Sequence, residues 1–155
     1  MQRERAVGWA AVLAQFAAIG ALLLATRSST GGPQWLWWVG LLLVVAGVLV
    51  LVLSFLHLGA ALTPNPVPNG AGLRQHGVYS RIRHPIYTGV LMIMLGVVCR
   101  SPGWWPLFWW VVLVAVLTAK AVWEERMLTE RFPEYATYRQ RTGRFLPNLH
   151  AARGA

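Results

Sequence analysis

Three long apolar runs, separated by short polar segments, dominate the pattern of hydrophobic and polar positions along the chain. They cover residues 6–26, 35–58 and 104–122, and the first two contain no Asp, Glu, Lys or Arg. About 20 apolar residues suffice to cross a bilayer as an α-helix, so each run predicts a membrane span. The first run is too long for the apolar part of a signal peptide, and no clean small-x-small cleavage site follows it.

A fourth apolar run, from residue 85 to about residue 99, is shorter. Only 16 residues separate Arg83 from Arg100, and a helix of that length extends about 24 Å, less than the hydrocarbon core of about 30 Å. We therefore expect a short span whose flanking residues are drawn toward the membrane. Ser101-Pro-Gly103 then predicts a tight turn, so that this span and the next form a helical hairpin.

The segments outside the spans carry their own signals. The helix of the last span is expected to continue until Phe132-Pro133, because no helix breaker occurs before it. Residues 134–142 then predict a short amphipathic helix. Residues 59–83 form the longest connection, and three alternating prolines force it into an extended path. This connection is either a stiff surface segment or a lid over a site.

The composition supports a membrane protein. Of the 155 residues, 56% are hydrophobic and 12% are charged, whereas about a quarter of the residues of a soluble domain are charged. Most of the nine tryptophans lie at the ends of apolar runs, as is typical of the membrane–water interface. The single cysteine, Cys99, excludes an internal disulfide. We predict an all-α, polytopic membrane protein with about four transmembrane helices, organised as one domain over residues 1–155.

The net charge of +9 has two explanations. In a soluble protein it would suggest a nucleic-acid partner. Here the basic side chains flank apolar runs, so the positive-inside rule is the better account, and we expect no nucleic acid as a partner. With four spans, Lys120 and every arginine except Arg27 and Arg100 fall on one side of the membrane. The rule therefore predicts that both termini and the long connection are cytoplasmic, in a bacterial inner or plasma membrane.

Polar and aromatic residues concentrate in residues 77–89, at the start of the short span. Pro85 is well suited to the first position of a helix, which places Arg83 and His84 at the helix N-terminus. Free N–H groups and a partial positive charge at that end favour a carboxylate or a phosphate. Tyr87 lies on the same side of the first turn as His84.

This run also resembles a known signature. Its pattern is Gly-x-Tyr-x-x-x-Arg-His-Pro-x-Tyr-x-Gly, and it is followed by Glu124-Glu125-x-x-Leu128, Phe132-Pro-Glu-Tyr135-x-x-Tyr138 and Phe145-Leu146-Pro147. The order and spacing are similar to those of the isoprenylcysteine carboxyl methyltransferase and phospholipid methyltransferase superfamily. The resemblance covers about residues 62–147. It implies a small integral-membrane enzyme that uses S-adenosyl-L-methionine as its cofactor.

The resemblance also implies a set of cofactor-binding residues. Arg83 and the helix N-terminus suit the cofactor carboxylate, and either glutamate of the pair suits its positive groups. Successive helical residues point about 100° apart, so only one glutamate faces the pocket squarely, and the other is free to pair with an arginine. The implied cofactor-binding residues are Tyr79, Arg83, His84, Pro85, Tyr87, Gly89, Glu124 and Glu125, with the tyrosines suited to bound the adenine.

Methyl transfer needs positioning above all, and it needs a general base only when the acceptor is an amine or a thiol. The implied catalytic residues are Glu125 and His84, with Arg139 able to hold an acidic acceptor. We expect that acceptor to be lipidic or membrane-bound and to enter between the helices. No metal is expected, because the sequence lacks zinc-binding motifs.

Three other functions stay open. A phospholipid amine is the nearest alternative acceptor. Some membrane sterol reductases resemble this family at the same C-terminal motifs but bind NADPH. A non-catalytic membrane scaffold would use the same residues only to anchor helix ends at lipid headgroups. A soluble Rossmann-type cofactor site is disfavoured, because there is no Gly-x-Gly-x-x-Gly motif.

Overall fold

The computed structural model describes residues 2–29, 31–59, 73 and 75–148, and it is helical almost throughout. The helices are α1 (Gln2–Thr26), α2 (Gln34–Leu58), α3 (Pro85–Arg100), α4 (Trp104–Arg131) and α5 (Tyr135–Arg141), with a 3-10 turn at Gly77–Ser80. Helices α1, α2 and α4 are long and apolar enough to cross a membrane, and α3 is a shorter apolar helix of 16 residues. The predicted all-α, polytopic membrane fold is confirmed. The alternating prolines lie outside the described residues.

The helix ends follow the predicted signals. Pro85 occupies the first turn of α3, and the extended Phe132 ends α4. Helix α4 is continuous over 28 residues, a length of about 42 Å, which exceeds the hydrocarbon core of about 30 Å. Its C-terminal turns, which carry Glu124 and Glu125, therefore reach the edge of the membrane.

Helices α2 and α3 pack through a seam of glycines. Gly40 and Gly47 of α2 face Gly96 and Gly89 of α3, respectively. A Cβ atom on Gly47 would lie 2.8 Å from the backbone oxygen of Gly89, and one on Gly40 would lie 2.6 Å from that of Gly96. Small residues allow membrane helices to approach this closely and gain van der Waals contact. The two helices therefore touch backbone to backbone over about two turns.

The bundle consists of two well-packed pairs, α2 with α3 and α1 with α4. The predicted hairpin of α3 and α4 is present, and the Trp110 indole donates a hydrogen bond to the backbone oxygen of Leu91 across it (3.1 Å). The packing of α3 against α2 is nevertheless the more extensive. The buried core lies between the pairs and contains Ala18, Tyr87, Leu113, Leu117 and Ala121.

The 3-10 turn is held against the C-terminal end of α2. Gly77 has a positive φ of 61°, and a Cβ atom there would lie 2.0 Å from the His57 ring. Only glycine combines that backbone conformation with this close approach. The segment leading into α3 is therefore fixed before the helix begins.

The glycine seam predicts that the effect of a Gly→Ala substitution on stability depends on where the glycine lies. Gly47→Ala should destabilise the protein by about 1–3 kcal/mol, because the added Cβ meets the backbone of α3, which cannot rotate away. Gly20→Ala in α1 is the matched control, since nothing lies within 4 Å of its Cβ position. Thermal unfolding in detergent measures both variants. Equal midpoints for the two would contradict the seam.

Candidate active site

The chain after α5 runs back beside the residues that precede α3. The Arg83 N–H donates to the backbone oxygen of Gly143 (2.8 Å), and the Gly143 N–H donates to that of Arg81 (3.1 Å). The His84 N–H donates to the backbone oxygen of Arg144 (3.0 Å). We call residues 142–146 the C-terminal strap. Its backbone fixes the two residues, Arg83 and His84, that begin the candidate site.

The strap is also tied to the first turn of α3 by side chains. The Thr88 hydroxyl donates to the backbone oxygen of Phe145 (2.7 Å), and the Phe145 ring lies 6.2 Å from the His84 ring. A side chain on Gly143 would collide with the backbone oxygen of Leu146, 1.7 Å from the Cβ position. The strap can therefore turn tightly at Gly143 and cover the start of α3.

Glu125 is the centre of the cluster. Its side chain is 4% exposed, and its Oε1 accepts from Arg83 Nε (3.1 Å) and Arg144 Nε (3.0 Å). Arg144 Nη2 donates to the other oxygen (2.9 Å), and His84 Nε2 lies 3.3 Å from Oε1. Two guanidinium groups and an imidazole thus surround one carboxylate, which neutralises a charge that would be costly to bury alone.

Arg83 extends this network to the C-terminal residues. Its Nη1 donates to the backbone oxygen of Arg139 (3.0 Å) and to that of Thr142. The guanidinium that was predicted to face a cofactor carboxylate is therefore also a cross-link between α4, α5 and the strap. Arg139 contributes its backbone, while its side chain is exposed.

The His84 ring lies between the two glutamates. Its Nδ1 is 3.3 Å from Glu124 Oε2, and the ring stacks on Tyr87 with centroids 5.3 Å apart. Burial lowers the pKa of the imidazole, but hydrogen bonds and charge interactions with Glu124 and Glu125 outweigh burial and raise that pKa above its ordinary value. A ring with a carboxylate at each nitrogen is best satisfied when both nitrogens carry a proton.

Glu124 has fewer partners than Glu125. Its Oε1 accepts a hydrogen bond from the Tyr87 hydroxyl, and Oε2 faces His84. A carboxylate offers about four lone-pair positions, so Glu124 keeps acceptor capacity that Glu125 has used. Its side chain is also the more exposed of the two, 13% against 4%.

Two buried tyrosine hydroxyls complete the surroundings. Those of Tyr79 and Tyr135 have no hydrogen-bond partner among the described residues. The backbone oxygen of Tyr79 accepts from the Tyr138 hydroxyl (2.6 Å). Burial, and then the neighbouring Tyr138 and Glu124, raise the pKa of Tyr79. A buried hydroxyl without a partner is unusual, so the Tyr79 hydroxyl keeps unused hydrogen-bonding capacity.

The structure brings most of the predicted site residues together. Arg83, His84, Tyr87, Glu124 and Glu125 form one hydrogen-bonded cluster, with Tyr79 beside it and Pro85 fully buried at the start of α3. Gly89 lies instead in the glycine seam against α2. The cofactor-binding and catalytic roles of all these residues, and of Arg139, stay predictions.

Sequence reasoning missed several members of the cluster. Arg144 and Thr142 bind it directly, and Thr88 joins the strap to the start of α3, although none of the three was singled out. The sequence did contain a signal for Arg144, because it immediately precedes the Phe-Leu-Pro motif. The glutamate pair also required a cation as a partner. Lys120, which was grouped with the cations of the aqueous side, is instead buried inside the bundle with 7% of its surface exposed.

Removing the central charge should be costly. Glu125→Gln should destabilise the protein by about 3–5 kcal/mol, because two guanidinium groups lose their carboxylate in a buried site. Glu130→Gln is the matched control, an exposed glutamate on the same helix, and should change stability little. Chemical or thermal unfolding in detergent measures the difference. A loss no larger than that of the control would contradict the central role of Glu125.

The raised pKa of His84 predicts a direction for the pH dependence of stability. The protonated ring stabilises the fold fully below its unfolded pKa of about 6.5, and this contribution disappears as the pH rises through the higher folded value. Thermal midpoints should therefore fall more steeply with rising pH, from about pH 6, in the wild type than in His84→Gln. His57→Gln, at an exposed histidine, should keep the wild-type slope. Equal slopes for the wild type and His84→Gln would refute the assignment.

Comparison with known proteins identifies the family of this chain. A family model described as phospholipid methyltransferase matches residues 35–135, well over half of the chain. The match begins in α2, earlier than the motifs alone suggest, and it includes both Arg83-His84 and Glu124-Glu125. An uncharacterised protein of Schizosaccharomyces pombe is 30% identical over 86 residues, which are 52% of this chain and 25% of that protein. The chain thus spans only a quarter of that relative's length. The resemblance seen in the motifs is confirmed, and the chain belongs to the phospholipid methyltransferase family, within the membrane methyltransferase superfamily that includes the isoprenylcysteine carboxyl methyltransferases.

Proposed function

We propose that this protein is an S-adenosyl-L-methionine-dependent methyltransferase that acts on a lipidic or membrane-bound acceptor. The observation that carries the proposal is the cluster itself. Its members come from two family motifs about 40 residues apart in the chain, and hydrogen bonds join them at one end of the helix bundle. A helix-end anchor at lipid headgroups would not need a glutamate at each nitrogen of a buried histidine.

The residues present fit the chemistry of the cofactor. Its ammonium and sulfonium groups need a carboxylate with unused acceptor positions, and Glu124 has them. The unpartnered Tyr79 hydroxyl offers a polar contact beside it, and the Tyr79 ring suits a flat adenine, whereas the Tyr87 ring is already stacked on His84. When bound, S-adenosyl-L-methionine supplies an activated methyl group, and the protein contributes positioning.

The two glutamates have different roles in this proposal. Glu125 is surrounded by three cationic or potentially cationic side chains, so it serves to hold Arg83, His84 and Arg144 in place. Glu124 is the residue that contacts the cofactor. The helical offset of about 100° between neighbouring residues lets Glu125 face the strap while Glu124 points toward Tyr87.

The protonation state of His84 affects which kind of methyl acceptor the site can use. An imidazole held between two carboxylates, with a raised pKa, is a poor general base near neutral pH. An acceptor that requires no base, such as a lipid-linked carboxylate, fits this site best. A phospholipid amine is the second candidate, since the family description favours it, and Glu124 would then have to accept the proton.

We also propose that the cluster faces the cytoplasm, where S-adenosyl-L-methionine would be found. Arg27 and Arg100 lie at the opposite ends of α1 and α3 from the cluster, and the described basic residues from Lys120 to Arg144 lie at its end of the bundle. The positive-inside rule then gives cytoplasmic termini, in the inner or plasma membrane of a bacterium.

Calorimetric titration of the detergent-purified protein tests the proposal. S-adenosylhomocysteine should bind saturably and NADPH should not. Glu124→Gln should weaken S-adenosylhomocysteine binding about tenfold or more, the value of a charge-assisted hydrogen bond. Its thermal midpoint should fall less than that of Glu125→Gln, because Glu124 has fewer partners, and Glu130→Gln should bind normally.

Other outcomes of the titration would assign the protein to a different functional class. Binding of NADPH alone would place it with the membrane reductases. Binding of neither ligand, by protein that unfolds cooperatively and is reconstituted with lipid, would favour the scaffold. Unchanged affinity in Glu124→Gln would remove Glu124 from the cofactor site.

A further inference from the structure

Lys120 is a buried cation that the cluster does not use. It lies one turn before Glu124 on α4, where α1, α3 and α4 meet. Its Nζ donates a hydrogen bond to Gln15 Oε1 of α1 (3.0 Å) and lies 5.0 Å from the centre of the Tyr87 ring. Ionisable side chains inside a membrane bundle are expensive to bury and commonly mark a functional pathway.

The charge of Lys120 is incompletely compensated. No carboxylate of the described residues forms an ion pair with it, and Glu124, one turn away on α4, directs its two oxygens toward Tyr87 and His84. An ammonium group has three N–H donors, of which Gln15 accepts one. The π face of Tyr87 attracts the charge but offers no hydrogen-bond acceptor of lone-pair strength. The remaining donors are therefore available to an anion.

The side chain of Gln15 provides a second hydrogen-bond donor beside the Lys120 ammonium group. Because its Oε1 accepts from Lys120, its amide NH₂ group remains free to donate. An ammonium group beside an amide N–H can bind a group with two neighbouring anionic oxygens, such as a carboxylate or a phosphate.

The exposure of Gln15 and the packing of α1 against α3 bear on how a molecule in the membrane would reach Lys120. Gln15 is half-exposed, whereas Lys120 is buried. The junction of α1 with α3 is the smallest of the four main junctions among the long helices. Lys120 lies about 6 Å deeper along α4 than Glu124. The junction of α1 with α3 is therefore the route by which a molecule lying in the bilayer would reach Lys120.

We propose that Lys120 and Gln15 bind the acidic group, a carboxylate or a phosphate, of a membrane-embedded amphiphile that enters between α1 and α3. This inference rests on the proposed function, since it identifies the amphiphile as the methyl acceptor and gives it an acidic group. The rival interpretation is that the Lys120–Gln15 hydrogen bond only ties α1 to α4.

The first test compares lipids of different charge. Protein in a neutral detergent is incubated with oleic acid, dioleoylphosphatidic acid or neutral dioleoylglycerol, and retained lipid is measured by native mass spectrometry. The wild type should bind at least one acidic lipid about tenfold or more tightly than the neutral one, and Lys120→Met should lose that preference. Arg126→Met is the matched control, because it removes an exposed charge from the same helix and should leave the preference intact.

A second variant distinguishes lipid binding by Lys120 and Gln15 from a hydrogen bond that only connects α1 to α4. Gln15→Glu places a carboxylate beside the ammonium, so it should fold at least as stably as the wild type while abolishing the preference for acidic lipid. A purely structural tie predicts that the preference survives this change. Preference for acidic lipid that persists in both Lys120→Met and Gln15→Glu would overturn the proposal, as would its absence from the wild type.

The two acidic lipids distinguish the sources of the acidic group. Preference for oleic acid alone assigns a carboxylate, and preference for dioleoylphosphatidic acid alone assigns a phosphate. Lys120→Met should still bind S-adenosylhomocysteine within about threefold of the wild type, since it removes no proposed cofactor contact. Failure of the wild type to bind S-adenosylhomocysteine would instead overturn the proposed function, so the two failures are distinguishable.

Discussion

The carboxylate of Glu125 organises the polar end of this molecule. It is the point at which α4, the residues before α3 and the C-terminal strap meet, through Arg83, His84 and Arg144. A buried ion cluster is stable only when every member is satisfied, so these partners depend on one another. The positions of His84 and Glu124, and hence the geometry of any reaction at this site, follow from that mutual dependence.

The apolar part of the bundle supplies the complementary constraint. The glycine seam fixes α3 against α2, and α4 packs on α1, so the two halves of the site stand on two separate helix pairs. Side-chain contacts such as Tyr87 to Glu124 cross between the pairs. The polar cluster thus joins two units that are each held by van der Waals packing.

The fold was largely predictable from the sequence, because span lengths, Pro85 and Phe132-Pro133 are local signals. The pairing of helices was not, since a helix that is apolar on all sides gives no indication of which side meets a neighbour. The motif residues Arg83, His84, Glu124 and Glu125 were predicted together by their family spacing. Arg144 was missed because its contact depends on the strap turning back at Gly143, and Lys120 because a lysine near a span end suggests solvent.

The strap also has a consequence for biosynthesis. The backbone partners of Arg83 and His84 lie about 60 residues later in the chain, so they leave the ribosome only after α4 and α5 have been made. Until then, these two residues lack the strap, and before α4 is made they also lack Glu125. Completion of the polar cluster is therefore a late, C-terminal event, and a chain that stops before residue 142 can insert its helices yet leave the cluster without Arg144 and the strap.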